Sequence, residues 1–147
     1  MKSILFVTTL MASAVCLASP KPLVETTSGG GPAAYQRTVT INDDGTVVET
    51  MGAGLAQGGP TTLTLATLSP DALSRLSYWT SNVDLTKPLV DPNPNGPECM
   101  NTFTSSVSMF KDGSPVVISS SGGCHTSSIV GSSPVTSILQ TFSDLAK

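Results

Sequence analysis

Short stretches of alternating polar and apolar residues make up most of this chain, and twice the spacing switches to that of a helix. Tyr35, Val39 and Ile41 fall on one side of an extended segment, with Thr38 and Thr40 on the other. Arg37 lands on the apolar side and therefore needs a partner or an edge position. Asn42-Asp43-Asp44-Gly45 follows, and Asp-Gly suits the positive φ values of a tight hairpin turn. Thr46 to Met51 then reads as the returning strand. Leu23 to Thr27 before this hairpin and Thr61 to Ala66 after it are shorter strand candidates. The run Ser28-Gly29-Gly30-Gly31-Pro32 reads as a break between strands, because glycine adopts left-handed backbone freely.

Ser69-Pro70-Asp71 announces a helix. Serine can cap, proline suits the first helical position, and aspartate meets the positive end of the dipole. Ala72, Leu73, Leu76 and Trp79 recur at helical spacing, so the helix should cover about residues 70–80 with one buried stripe. Trp79 reads as a core anchor. A second hairpin is expected from Asn101 to Phe110 and Pro115 to Ser120, turning at Lys111-Asp112-Gly113-Ser114. Phe103, Val107 and Met109 share one face of its first strand. Ser133-Pro134 repeats the helix-start signal, and Val135, Ile138, Leu139, Phe142 and Leu145 line one face of a helix over about residues 134–146. The expected fold is α+β: a small antiparallel sheet in the order β-β-(β)-α-β-β-α, with two amphipathic helices packed on one face and one disulfide.

The first eighteen residues stand apart. Lys2 precedes a short apolar run that ends at Cys16 and Ala18, small residues at the two positions a signal peptidase reads. The run is shorter than the ~20 residues of a spanning helix. The expected organisation is a signal peptide at 1–18 and a single domain at 19–147, exported to the periplasm or the medium. A lipoprotein attached through Cys16 is the minor alternative, since Ser13-Ala14-Val15 lacks the Leu and small residue of a lipid-attachment site. Losing Lys2 leaves six basic against ten acidic residues, a net charge of −4. That balance argues against nucleic acid and anionic membrane surfaces as partners. No later stretch has the length and apolarity of a transmembrane segment.

Export also settles the cysteine arithmetic. Three cysteines become two, Cys99 and Cys124, in an oxidising compartment. Paired, they would close a loop of about 26 residues and contribute on the order of 3–4 kcal/mol. Adjacent Cys124-His125 makes a poor nucleophile and base, since neighbours in an extended segment point to opposite faces. His125 is the only histidine, so no multi-histidine metal site is expected, and the acids sit mainly in turns and at helix ends. Asp91, Asn93, Asn95 and Gly96 match the front half of a calcium-binding loop, but Thr102 stands where the closing Glu belongs. Neither catalytic residues, nor a metal, nor a cofactor is expected.

Ser28 to Ile41, the turn at Asp44-Gly45 and Leu68-Ser69-Pro70-Asp71-Ala72-Leu73 together resemble the emfourin-like small proteins. That family leads a Gly-Gly segment into an Arg-bearing strand, a turn, a second strand and a helix opened by Leu-Ser-Pro. The resemblance implies an inhibitor of thermolysin-like metalloproteases. The paired cysteines and the long loop with Pro88, Pro92, Pro94 and Pro97 depart from the pattern. The leading expectation is a secreted or periplasmic non-catalytic module that binds another protein, with inhibition of an extracellular metalloprotease as the alternative. Two segments are candidates for partner contact, one carrying Gly30 and Tyr35, the other Asp91, Asn93 and Asn95. Proline restricts the second, and restriction lowers the ordering cost of binding.

Overall fold

The structure, a computed structural model, describes residues 19–30, 35–52, 59–96, 103–129 and 132–145. The expected leader, 1–18, lies outside them, as does Cys99. The strands are β1 (Pro22–Gly30), β2 (Tyr35–Asn42), β3 (Thr46–Met51), β4 (Thr61–Thr67), β5 (Leu89–Val90), β6 (Thr104–Lys111), β7 (Ser114–Gly122) and β8 (His125–Ile129). Helix α1 (Pro70–Ser81) falls between β4 and β5, and α2 (Ser133–Leu145) follows β8.

All eight strands join one antiparallel sheet in the order β4-β3-β2-β1-β6-β7-β8-β5. Two meanders, β1 to β4 and β6 to β8, each lead into a helix, and their first strands pair at the centre. Val24, Thr26 and Ser28 of β1 oppose Met109, Val107 and Ser105 of β6. This replaces the expected small sheet. Two strands escaped the sequence reading. Leu89–Val90, within the expected proline-rich loop, instead pairs with Ile129 and Ser128. His125–Ile129 carries only one apolar residue, so its polar side chains hid it. The break expected from Ser28 is also corrected, because β1 continues through Gly30 and pairs on both sides as far as Gly29. Cys124 is disulfide-bonded, and Cys99, the partner expected for it, lies outside the described residues. The ladder from β6 through β7 to β8 also ties this region together.

One sheet face carries the core. Val24, Val39, Ile41, Val47, Met109 and Ile118 cluster with Leu76 of α1 and with Val135 and Ile138 of α2. Register explains the selection: Val24 opposes Ile41, and Ile41 opposes Val47, so these side chains emerge on the same side of the pleat. A bulge in β7 sets Ile118 and Ser119 together opposite Val107, and both are buried. Trp79 packs against the cluster as the sequence suggested, whereas Phe103 lies just before β6 and is largely exposed. Arg37, the cation on the apolar face, finds its partner diagonally across the ladder, its Nε pairing with Glu49.

Local chemistry places the helix and turn boundaries. The Ser69 hydroxyl accepts the Ala72 amide at 3.3 Å, with Pro70 opening α1 behind it. At the first hairpin Gly45 has φ +84°, and the Asp44 carboxylate accepts both the amide and the hydroxyl of Thr46, at 2.9 and 2.6 Å. Asp84 holds Thr86 the same way after α1.

Candidate functional site

The sheet face opposite the helices is built largely of small polar side chains, with Val48 and Val117 among them. Reading the register across it, Thr62 opposes Thr50, Thr50 opposes Thr38, and Thr38 opposes Thr27. Thr27 opposes Ser106, Ser106 opposes Ser120, and Ser120 opposes Ser127. Seven strands thus contribute one hydroxyl each to a single row. Neighbouring strands lie about 4.8 Å apart, so the row extends for roughly 29 Å. Thr50 and Thr62 approach to 3.4 Å, and Thr27 and Thr38 to 3.5 Å. Glu25 stands one row below, its two carboxylate oxygens accepting from Thr27 and Thr40 at 3.3 and 3.4 Å.

One row above, toward the end of the sheet, Gln36 opposes Gly29, Gly29 opposes Thr104, Thr104 opposes Gly122, and Gly122 opposes His125. Two glycines in this row leave the surface without side chains just where the flanking residues are small. The result is a hollow of about 490 Å³, lined by Thr27, Gly29, Gly30, Gln36, Thr104 and Ser106 among others. The Thr104 hydroxyl donates to the Gly29 carbonyl at 3.3 Å and fixes one wall.

His125 closes the row at its outer end. Its Nδ1–H donates to the Asp91 carboxylate, Oδ2, at 2.7 Å. The other Asp91 oxygen, Oδ1, accepts the Asn93 amide at 2.8 Å. The Asn93 amide, first among its partners, and the His125 ring hold the Asp91 carboxyl below the usual carboxylate value, against the opposing effect of desolvation. Beyond it, the Gly96 amide donates to the Asn93 carbonyl at 3.0 Å, and a Cβ at Gly96 would come within 2.6 Å of the Asn93 side chain. The proline-rich loop is therefore tied to the sheet at one carboxylate and turns tightly immediately after it.

These contacts locate the residues singled out in the sequence. Gly30 and Tyr35 are a register pair at the end of β1 and β2, and Gly30 borders the hollow. Asp91 joins the same end of the sheet through His125, three strands away. Asn93 and Asn95 sit in the turn beyond it, both exposed. Sequence reasoning weighed His125 only as a lone histidine and a poor base for Cys124, so it missed the bond to Asp91, and it missed the hydroxyl row. The alternation of Thr and Ser was visible strand by strand; the alignment of seven strands was not. The half-match to a calcium loop also takes a different meaning here, since both Asp91 oxygens are occupied by protein donors. Among the described residues, no three His, Cys, Asp or Glu side chains converge in a way that could hold a metal ion. Cys124 belongs to the β7–β8 turn, and its expected pair Cys99 lies outside the described residues.

No protein-family model matches the chain, and no curated protein matches it. Among the described residues no helix is long and apolar enough to cross a membrane.

Proposed function

We propose that this chain is a non-catalytic binding module that engages another protein with the glycine end of its open sheet face. One observation carries the reading: Gly30 and Tyr35 and, through His125, the Asp91 loop lie at the same end of the sheet as a hollow with a floor of backbone. Backbone exposed at Gly29 and Gly30 offers a partner close approach that any side chain would prevent. Serine and threonine hydroxyls both donate and accept, so the surrounding wall can meet a peptide's amides and carbonyls alike. The Asp91 loop is held before binding, which reduces the entropy lost on association. Residues 1–18 read as an export signal, and on this reading the partner is met outside the cytoplasm.

The test fills the hollow. Thr104→Arg and Ser120→Arg place long cationic side chains over it at partly or fully exposed positions. Co-purified partners recovered with the unaltered protein should be lost with both variants, while circular dichroism and thermal melting stay the same. Retention of the same partners by both variants would count against this surface. A panel of thermolysin-like metalloproteases belongs in the same experiment. Inhibition by the unaltered protein that disappears in the two variants would make such a protease the partner.

A further inference from the structure

The two edges of the sheet are unequal. β5 is two residues long and lies between Pro88 and Asp91-Pro92, so it offers almost nothing for another strand to pair with. β4 is seven residues long, Thr-Thr-Leu-Thr-Leu-Ala-Thr, and every one of them is exposed. It contains neither charge nor proline, the usual devices that keep an edge strand from pairing with another chain. Leu63 is 61% and Leu65 40% exposed, an apolar pair on an otherwise hydroxyl-bearing strand.

Two further features narrow what can sit there. Thr61 to Thr64 pair regularly with Met51 to Val48, and the register slips only beyond them, where Leu65 is the extra residue before Ala66 meets Val47. That bulge twists the last third of β4 away from regular pairing, leaving Thr61 to Leu65 as the usable edge. This segment reads nearly alike in both directions about Leu63. Run antiparallel to itself, it sets Thr62 opposite Thr64 and Leu63 opposite its own counterpart, with Thr61 opposite Leu65. Self-complementarity of this kind is what a two-fold interface requires.

We propose that β4 pairs antiparallel with β4 of a second copy of this chain, about a two-fold axis at Leu63. The inference is independent of the binding surface at the glycine end. Pairing sets the two copies of Leu63 against one another and matches threonine to threonine on the open face. The chain already contains a join of this type, since its two meander-and-helix halves meet antiparallel at β1 and β6.

Sedimentation equilibrium of the purified protein should show a reversible dimer at micromolar concentration. Leu63→Lys puts like charges opposite each other across the axis and should yield a monomer with unchanged circular dichroism. Leu63→Cys should form a covalent dimer on mild oxidation, because directly opposed residues lie within disulfide reach. Thr67→Cys, beyond the paired segment, should give no more covalent dimer than the unsubstituted chain. A monomer throughout the concentration range would overturn the proposal. So would a dimer that survives Leu63→Lys, or covalent dimers formed equally from Thr67→Cys.

Discussion

The Nδ1 of His125 lies 2.7 Å from Oδ2 of Asp91, a bond between residues 34 positions apart that fastens the proline-rich loop to the sheet. The pair is half shielded from solvent. It forms where β5 supplies only two residues of ladder, so the loop's attachment at this edge depends strongly on one carboxylate.

That dependence sets the behaviour in acid. Asp91 has its folded-state pKa lowered, chiefly by the Asn93 amide, and Asp44 and Asp84 have theirs lowered by the hydroxyls and amides of Thr46 and Thr86. A depressed carboxyl contributes stability that is present above its unfolded-state pKa and is lost as pH falls through the folded-state value. Stability should therefore hold through neutral and mildly acidic pH and decline below the ordinary carboxylate range. Denaturant midpoints across that window will measure the decline, and Asp91→Asn should make it shallower. In the same variant, limited proteolysis near Asn93 to Asn95 should accelerate at neutral pH.

Two glycines at hairpin turns test the cost of left-handed backbone conformation. Gly45 and Gly113 both have positive φ, +84° and +78°. A Cβ at Gly45 would meet Leu73 at 3.4 Å and the Leu68 carbonyl at 3.5 Å, whereas nothing lies within 4 Å at Gly113. Gly113→Ala and Gly45→Ala should each cost about 1–2 kcal/mol from the left-handed backbone, since the neighbours at Gly45 stand at ordinary contact distance. Paired urea titrations will compare them; a much larger loss at Gly45 would contradict the room there.

The cap of α1 makes a smaller claim. Ser69→Ala removes the acceptor for the Ala72 amide and should cost about 1 kcal/mol. Ser69→Asp retains an acceptor and should restore most of it, as read by thermal melting.

Core truncation should be severe at the junction of sheet and helices. Ile41 and Ile138 are fully buried in one cluster. Either changed to Ala should cost about 2–5 kcal/mol, with the spread set by how far the neighbours collapse. By contrast, Leu63→Ala on the exposed edge should leave the monomer's stability nearly unchanged.

Much of the fold was legible one element at a time. The first hairpin, with its turn at Asp44-Gly45, appears at the residues its alternation named, and both helices begin at their Ser-Pro signals. The Ser28–Gly30 segment misled because glycine lacks strand propensity, yet pairing on both sides holds Gly29 in the ladder. β8 misled for the opposite reason: its Thr and Ser residues face water and neighbouring strands, so no apolar period marked it. The two candidate contact segments were named separately, and nothing in their spacing indicated that they share one end of a sheet.

Hairpin turns, helix caps and the alternation of faces are settled within a few residues of chain, by local backbone preference and side-chain hydrogen bonds, and the amino-acid sequence determined them by itself. The β1–β6 join, the placement of β5 beside β8, the seven-strand row of hydroxyls and the bond between Asp91 and His125 were decided only by the tertiary structure. Strand pairing is a contact between distant segments whose backbones are chemically alike, and any register that buries the apolar face is admissible until the whole sheet closes over its two helices.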